Sequence, residues 1–124
     1  MTEKTYRPSE AELEILNMIW ELEPVAVRDV HARIAVVRDI GYTTILKQIQ
    51  RMTEKGVLEK QIDGGVHLYR STVKAADVKQ QLMDKVLQTA FGGSALDMAM
   101  YAFGRDKVSP DELKAIKTWL DNQL

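Results

Sequence analysis

Thr43, Thr44, Lys47, Gln50 and Arg51 recur at helical spacing in the run GYTTILKQIQRMTEKG, and each ends in a hydrogen-bond donor. Lys47 and Arg51 stand one helical turn apart, so both can reach guanine edges or phosphates, while the threonines can donate to phosphate or touch a thymine methyl. A second group, Lys60, His67 and Arg70, follows in a stretch with β-strand character and offers candidate contacts to a sugar-phosphate backbone. This chemistry is non-covalent recognition of a polyanion. Catalysis finds no comparable basis. His31 and His67 are the only histidines, neither sits beside a nucleophile in a recognisable motif, and their separation is not that of a metal-binding helix such as H-E-x-x-H. Cysteine is absent, which excludes disulfides, thiolate zinc sites and thiol chemistry. Gly92-Gly93 reads as a break between helices rather than a phosphate-cradling loop. We therefore expect no enzyme activity, no catalytic residue, no cofactor and no metal.

The elements that must position these groups are legible from periodicity and caps. Ser9-Glu10-Ala11-Glu12 is a capping box, opening a helix whose apolar stripe is Leu13, Leu16, Ile19 and Trp20 and which Pro24 ends. A second helix spans about 27–36, with Val27, Val30 and Ile34 inward and Arg28, Asp29 and Arg33 outward. Ala26 stands where a capping side chain would normally be, a deficit of about 1 kcal/mol. The third helix, about 42–55, begins near Tyr42 or Thr43 and stops at Gly56. Its residues Ile45, Ile49 and Met52 share a narrow arc that must be buried, which turns Thr43, Thr44, Lys47, Gln50 and Arg51 outward. Two extended runs, 58–62 and 66–70, flank Asp63-Gly64-Gly65, a strong hairpin signal. Leu58 and Leu68 are the expected packing contacts of that hairpin, since an isolated one is marginal in water.

Three helices and a hairpin in this order make a winged helix, a helix-turn-helix variant in which the third helix enters a groove of duplex DNA and the wing, about 58–70, rests on the backbone. After Val73 the pattern is helical to the end. Val78, Leu82, Val86 and Leu87 form one apolar stripe, residues 94–103 are rich in Ala and Met, and Ser109-Pro110-Asp111-Glu112 caps a last helix with Leu113, Ile116 and Leu120 inside and Trp119 beside them. Such short amphipathic pieces have little to bury against alone, so a second copy is the expected cover, with Leu82, Val86, Leu96, Met100, Leu113, Ile116 and Leu120 at the dimer contact. The fold class is thus mostly α with a small β-hairpin: a winged helix-turn-helix domain at 1–73 and a helical dimerisation region at 74–124.

Charge is distributed unevenly. The 124 residues sum to −1 with 45% hydrophobic content, enough for one modest core and an appended oligomerisation element. Residues 26–70 carry eight Lys/Arg against five Asp/Glu, whereas 9–23 hold five acids and no base. Attraction to phosphate depends on the face presented, not on the sum. The polar start, MTEKTYRPSE, has no apolar core of a signal segment, and no run approaches a membrane span, so we expect a cytoplasmic protein.

The runs LEILNMIWELEPVAVRDVHARI, GYTTILKQIQRMTEKGVLEK, GGVHLYRS, MDKVLQTAF and SPDELKAIKTWLDN resemble the penicillinase-repressor family of bacterial transcriptional repressors over nearly the whole chain. The most specific pieces are Ile19-Trp20, the Tyr-Thr-Thr-Ile opening of the third helix, and Arg51 followed by Lys55-Gly56. The resemblance implies a homodimer that blocks transcription on a palindromic operator, with Thr43, Thr44, Lys47 and Arg51 in the contacting helix. It also implies a regulatory protease or a small-molecule inducer as a further partner. Family members answering β-lactams are cut at an Asn-Phe bond in the dimerisation region; the matching position here is Ala90-Phe91, a departure that leaves the inactivation route open. The cysteine motif of copper-responsive members has no counterpart. Two other readings of the residues stand beside this one: a ligand pocket between Met98 and Phe103, and a winged helix that binds proteins rather than DNA.

Overall fold

The computed structural model describes residues 6–104 and 107–124, so the first half of the polar amino-terminal run lies outside the described residues. Its elements are α1 (Glu10–Leu22), α2 (Val27–Ala35), α3 (Tyr42–Glu54), β1 (Leu58–Asp63), β2 (Val66–Ser71), α4 (Ala75–Phe91), α5 (Ala95–Phe103) and α6 (Pro110–Gln123). They form two compact units, residues 1–81 and 82–124, which divide inside α4.

The first unit is a winged helix. Each helix contributes one arc of apolar side chains to a shared core: Ile15, Leu16 and Ile19 from α1, Val27, Val30 and Ile34 from α2, Ile45, Ile49 and Met52 from α3. The expected stripe of α1 needs one amendment, since Ile15 is buried and Leu13 only half so. Local chemistry sets the ends. The Ser9 hydroxyl accepts from the Glu12 amide at 3.2 Å while Glu12 Oε1 accepts from the Ser9 amide at 2.9 Å, satisfying donors that the first turn would otherwise leave orphaned. The backbone of Ala26 caps α2 with no side-chain hydrogen bond. Gly56 ends α3 with φ +82°, a left-handed conformation that disfavours any residue with a Cβ.

The wing is a two-residue hairpin. Asp63 pairs with Val66, leaving Gly64 and Gly65 as the turn, both at positive φ (+56° and +83°) as the favoured hairpin geometry requires. Leu58 is buried as expected. Its partner in anchoring is Tyr69, 4% exposed, and not Leu68, which is only half-buried. The register explains the correction: Leu58 lies opposite Ser71, so Ser71, Tyr69 and His67 share the core-facing side and Leu68 takes the other. Tyr69 also exchanges both backbone hydrogen bonds with Val25, at 2.8 and 3.0 Å, which seats the wing on the segment between α1 and α2. The Glu23 carboxylate accepts from the Ser71 amide at 2.8 Å beside it.

Trp20 packs against the core, and its indole Nε1–H donates to the Val73 carbonyl at 3.2 Å. Lys79 lies 6.0 Å from the same ring, and Val78 is buried. The first turns of α4 therefore belong to the winged-helix unit, and the compact unit extends past residue 73.

The second unit holds the end of α4 together with α5 and α6. Gly92 and Gly93, at φ +55° and +88°, turn the chain after α4, and Ser94 caps α5 through the Asp97 amide. Ser109 and Glu112 form a reciprocal capping box on α6, with Pro110 at its first position. Phe91 and Tyr101 stack at a tilt, centroids 5.6 Å apart. Neither α5 nor α6 has a buried residue, and Leu96, Met100, Tyr101 and Trp119 are at least 60% exposed.

Candidate nucleic-acid interface

Burying Ile45, Ile49 and Met52 leaves the opposite side of α3 to solvent, and Thr43, Thr44, Lys47, Gln50 and Arg51 are all exposed there. The strip has two flanks. Thr44 lies toward α1, lining a small cavity of about 180 Å³ with Glu14, Arg38, Ile40 and Gln48. Gln50 lies toward the wing, lining a cleft of about 430 Å³ with Leu46, Thr53, Glu54, Lys60, His67 and Tyr69. A neighbouring cleft of about 270 Å³ shares Leu46, His67 and Tyr69 and is closed by Val27, Arg28, Tyr42 and Val66.

The wing's three candidate groups do not share one face. Lys60 and His67 stand on the strand face that borders α3. Arg70 pairs with Glu59 in the register and occupies the opposite face, its Nε 3.9 Å from the Glu59 carboxylate. Alternation along β2 dictates the split, because positions 67 and 70 differ by an odd number of residues. Conversely, Arg28 and Tyr42 border the clefts although spacing along the chain does not pick them out. Their only signal in the sequence is a polar or aromatic residue at the first turns of α2 and α3. Tyr42 meets the His31 ring edge-on at 5.8 Å, and His31 Nε2 donates to the Ile40 carbonyl at 2.8 Å. That pair fixes the turn leading into α3.

The electrostatics of the face follow from what α1 withdraws from it. Glu21 holds Arg33 at 2.7 Å, Glu14 takes Arg38 in a two-pronged contact with a shortest distance of 2.7 Å, and Glu12 holds Lys55 at 2.8 Å. The Arg38 hydrogen bonds keep the Glu14 carboxyl below the usual carboxylate range. Burial pushes the Glu12 carboxyl up, but donation from Lys55 and from the Ser9 amide outweighs it and holds the group below its ordinary value. Tyr6, whose hydroxyl is buried beside Glu12, is pushed up by its burial and then by the Glu12 charge. Among the described residues, Lys47, Arg51 and Lys60 have no ion-pair partner. Three acids of α1 are thus spent on Arg33, Arg38 and Lys55, while Lys47 and Arg51 of α3 and Lys60 of the inner wing face stand outside any ion pair among the described residues. No helix among the described residues is long and apolar enough to cross a membrane.

Comparison with known proteins agrees with this architecture. The family model described as penicillinase repressor matches residues 8–122. The methicillin resistance regulatory protein MecI of Mammaliicoccus sciuri is 25% identical over 99% of this chain and 100% of its own length. The penicillinase repressor of Staphylococcus aureus is 20% identical, covering 98% of this chain and 97% of that protein. The transcriptional regulator BlaI of Mycobacterium tuberculosis strain H37Rv is 27% identical over 92% of this chain and 83% of its length. The match of that family model to residues 8–122, nearly the whole of a chain that folds as a winged helix followed by a helical region, identifies the chain as a member of the penicillinase repressor family.

Proposed function

We propose that this protein is a transcriptional repressor that binds a palindromic operator in double-stranded DNA as a homodimer. The winged-helix elements within residues 1–73 make the DNA-binding domain and 74–124 the dimerisation region, with the first turns of α4 packed on the winged helix as the join. Helix α3 lies in the major groove, with Thr43 and Thr44 in the turn nearest the base edges and Lys47, Gln50 and Arg51 behind them. Lys60 and His67 meet the backbone from the inner face of the wing; Arg70 reaches it only from the outer face. The observation that carries the reading is the pair of exposed, unopposed cations Lys47 and Arg51 on a helix whose other side is fully committed to the core.

The dimer is supported by the apolar surface left open in the second unit. Val86, Leu96, Met100, Leu113 and Leu120 are between 45% and 75% exposed, and Leu82 and Ile116 are half-buried. Covering them with the same surface of a second copy presents two α3 helices to successive turns of one duplex, which a two-fold symmetric operator matches. The protein acts where its operator is, in the cytoplasm. Its release follows an inducing signal, delivered by a regulatory protease or by a small molecule; Ala90 and Phe91 lie in the last turn of α4.

Selection of bound sites from random duplexes with the purified protein tests the reading. The expected product is a two-fold symmetric motif with half-sites about one helical turn apart, or a multiple of it. Failure to retain any duplex at low salt would transfer the fold to the protein-interaction reading.

A further inference from the structure

We infer that Glu54 is an electrostatic brake on DNA binding, a carboxylate built into the reading helix that weakens the complex with every sequence. The inference rests on α3 being the DNA reader and deepens that reading. Glu54 occupies the last turn of α3, on the outward strip with Lys47, Gln50 and Arg51, and is exposed. Among the described residues no cation lies within ion-pair distance of it. It contrasts with Glu12, Glu14 and Glu21, each of which is matched to a basic side chain.

Its place relative to the wing decides what it faces. Glu54 lines the cleft between α3 and the hairpin together with Gln50, Thr53, Lys60 and His67. When a helix lies in the major groove and a wing grips the flanking backbone, the strand that separates the two grooves runs between them. That strand therefore passes along this cleft. The amino-terminal turn of such a helix meets base edges, and its last turn is carried out toward the phosphates. Lys60 and His67 are suited to that strand, and Glu54 opposes it. Because every sequence presents the same phosphates, the opposition is uniform: it lowers affinity without favouring one base over another.

Glu54→Gln and Glu54→Lys in the full-length protein test this by fluorescence anisotropy, against the selected site and a random duplex across a range of salt. Thermal melts establish that both variants remain folded. Glu54→Gln is expected to tighten binding to both duplexes by the same factor, roughly two- to fivefold, the size of one solvent-screened charge interaction. Glu54→Lys is expected to tighten both further and to steepen the salt dependence by about one ion. If Glu54→Gln weakens the selected site and spares the random duplex, Glu54 reads a base and the brake is wrong. Unchanged affinity in both variants would place Glu54 away from DNA and overturn the brake equally. The wild-type titration separates the two layers, since a wild-type protein that binds neither duplex overturns the repressor reading itself.

Discussion

Lys55, at the carboxy-terminal end of α3, gives its ammonium to Glu12 in the first turn of α1 across 2.8 Å, joining two elements 43 positions apart. Among the described residues Glu12 is the one buried charged side chain, and its other oxygen accepts from the Ser9 amide. Removing Lys55 leaves a buried carboxylate with one partner fewer. Lys55→Met is expected to cost about 1–2 kcal/mol at neutral pH, the low side for a buried pair because the lysine itself is 56% exposed. The folded-state value of Glu12 is lowered, so its contribution is complete above the ordinary carboxyl value of 4.5 and lost as pH falls through the lowered one. Melting temperatures from neutral pH down to about pH 3 check this. The gap between wild type and Glu12→Gln should be widest near neutrality and close in acid.

Lys47→Ala and Arg51→Ala should each weaken operator binding while leaving the melting temperature within about a degree of wild type, since neither side chain contributes to the core. If Lys47 meets a phosphate, its removal weakens all sequences about equally and lowers the salt slope by roughly one ion; if it meets a base, one position relaxes by about 1–3 kcal/mol. Binding isotherms on matched and mismatched duplexes at several salt concentrations distinguish the two. Unaltered affinity in both variants would show that α3 is not the reader.

Ala26 begins α2 with extended backbone and no side-chain hydrogen bond to the first turn. Ala26→Ser supplies the missing acceptor and should stabilise the protein by about 0.5–1 kcal/mol, read as a higher denaturation midpoint. A lower midpoint would mean that this buried position cannot accommodate the hydroxyl.

In the second unit, Leu113 and Leu120 lie on α6, 48% and 47% exposed in the single chain. Charges placed there cost little in a monomer and much in a dimer. Leu113→Glu with Leu120→Glu should shift sedimentation equilibrium from dimer to monomer and reduce operator affinity by more than tenfold through loss of the second half-site. A double variant that stays dimeric would move the interface to another surface.

Much of this architecture is readable from residue order because the deciding signals are local. Capping boxes at Ser9 and Ser109, the buried triad Ile45, Ile49 and Met52, and Gly56 after α3 each operate within a few residues. Where two strands must be set in register, local pattern no longer suffices. Leu68 and Tyr69 are both plausible anchors until pairing assigns them to opposite faces, and the same pairing removes Arg70 from the side of the wing that borders α3. Arg28 and Tyr42 are brought to the cleft by packing between elements, which spacing along the chain does not encode. The pairing of Glu12 with Lys55 and of Glu14 with Arg38 is likewise a product of the tertiary fold.

Helix α1 makes those last pairings, and they bear on how the molecule travels. With Glu12, Glu14 and Glu21 each occupied by a basic side chain, and Lys47, Arg51 and Lys60 outside any ion pair among the described residues, the domain has an electrical polarity that the whole chain's net charge of −1 conceals. Near a polyanion such a body feels torque before it feels attraction, and it rotates its reading edge forward as it diffuses. Added salt should slow capture by this route more than it hastens departure.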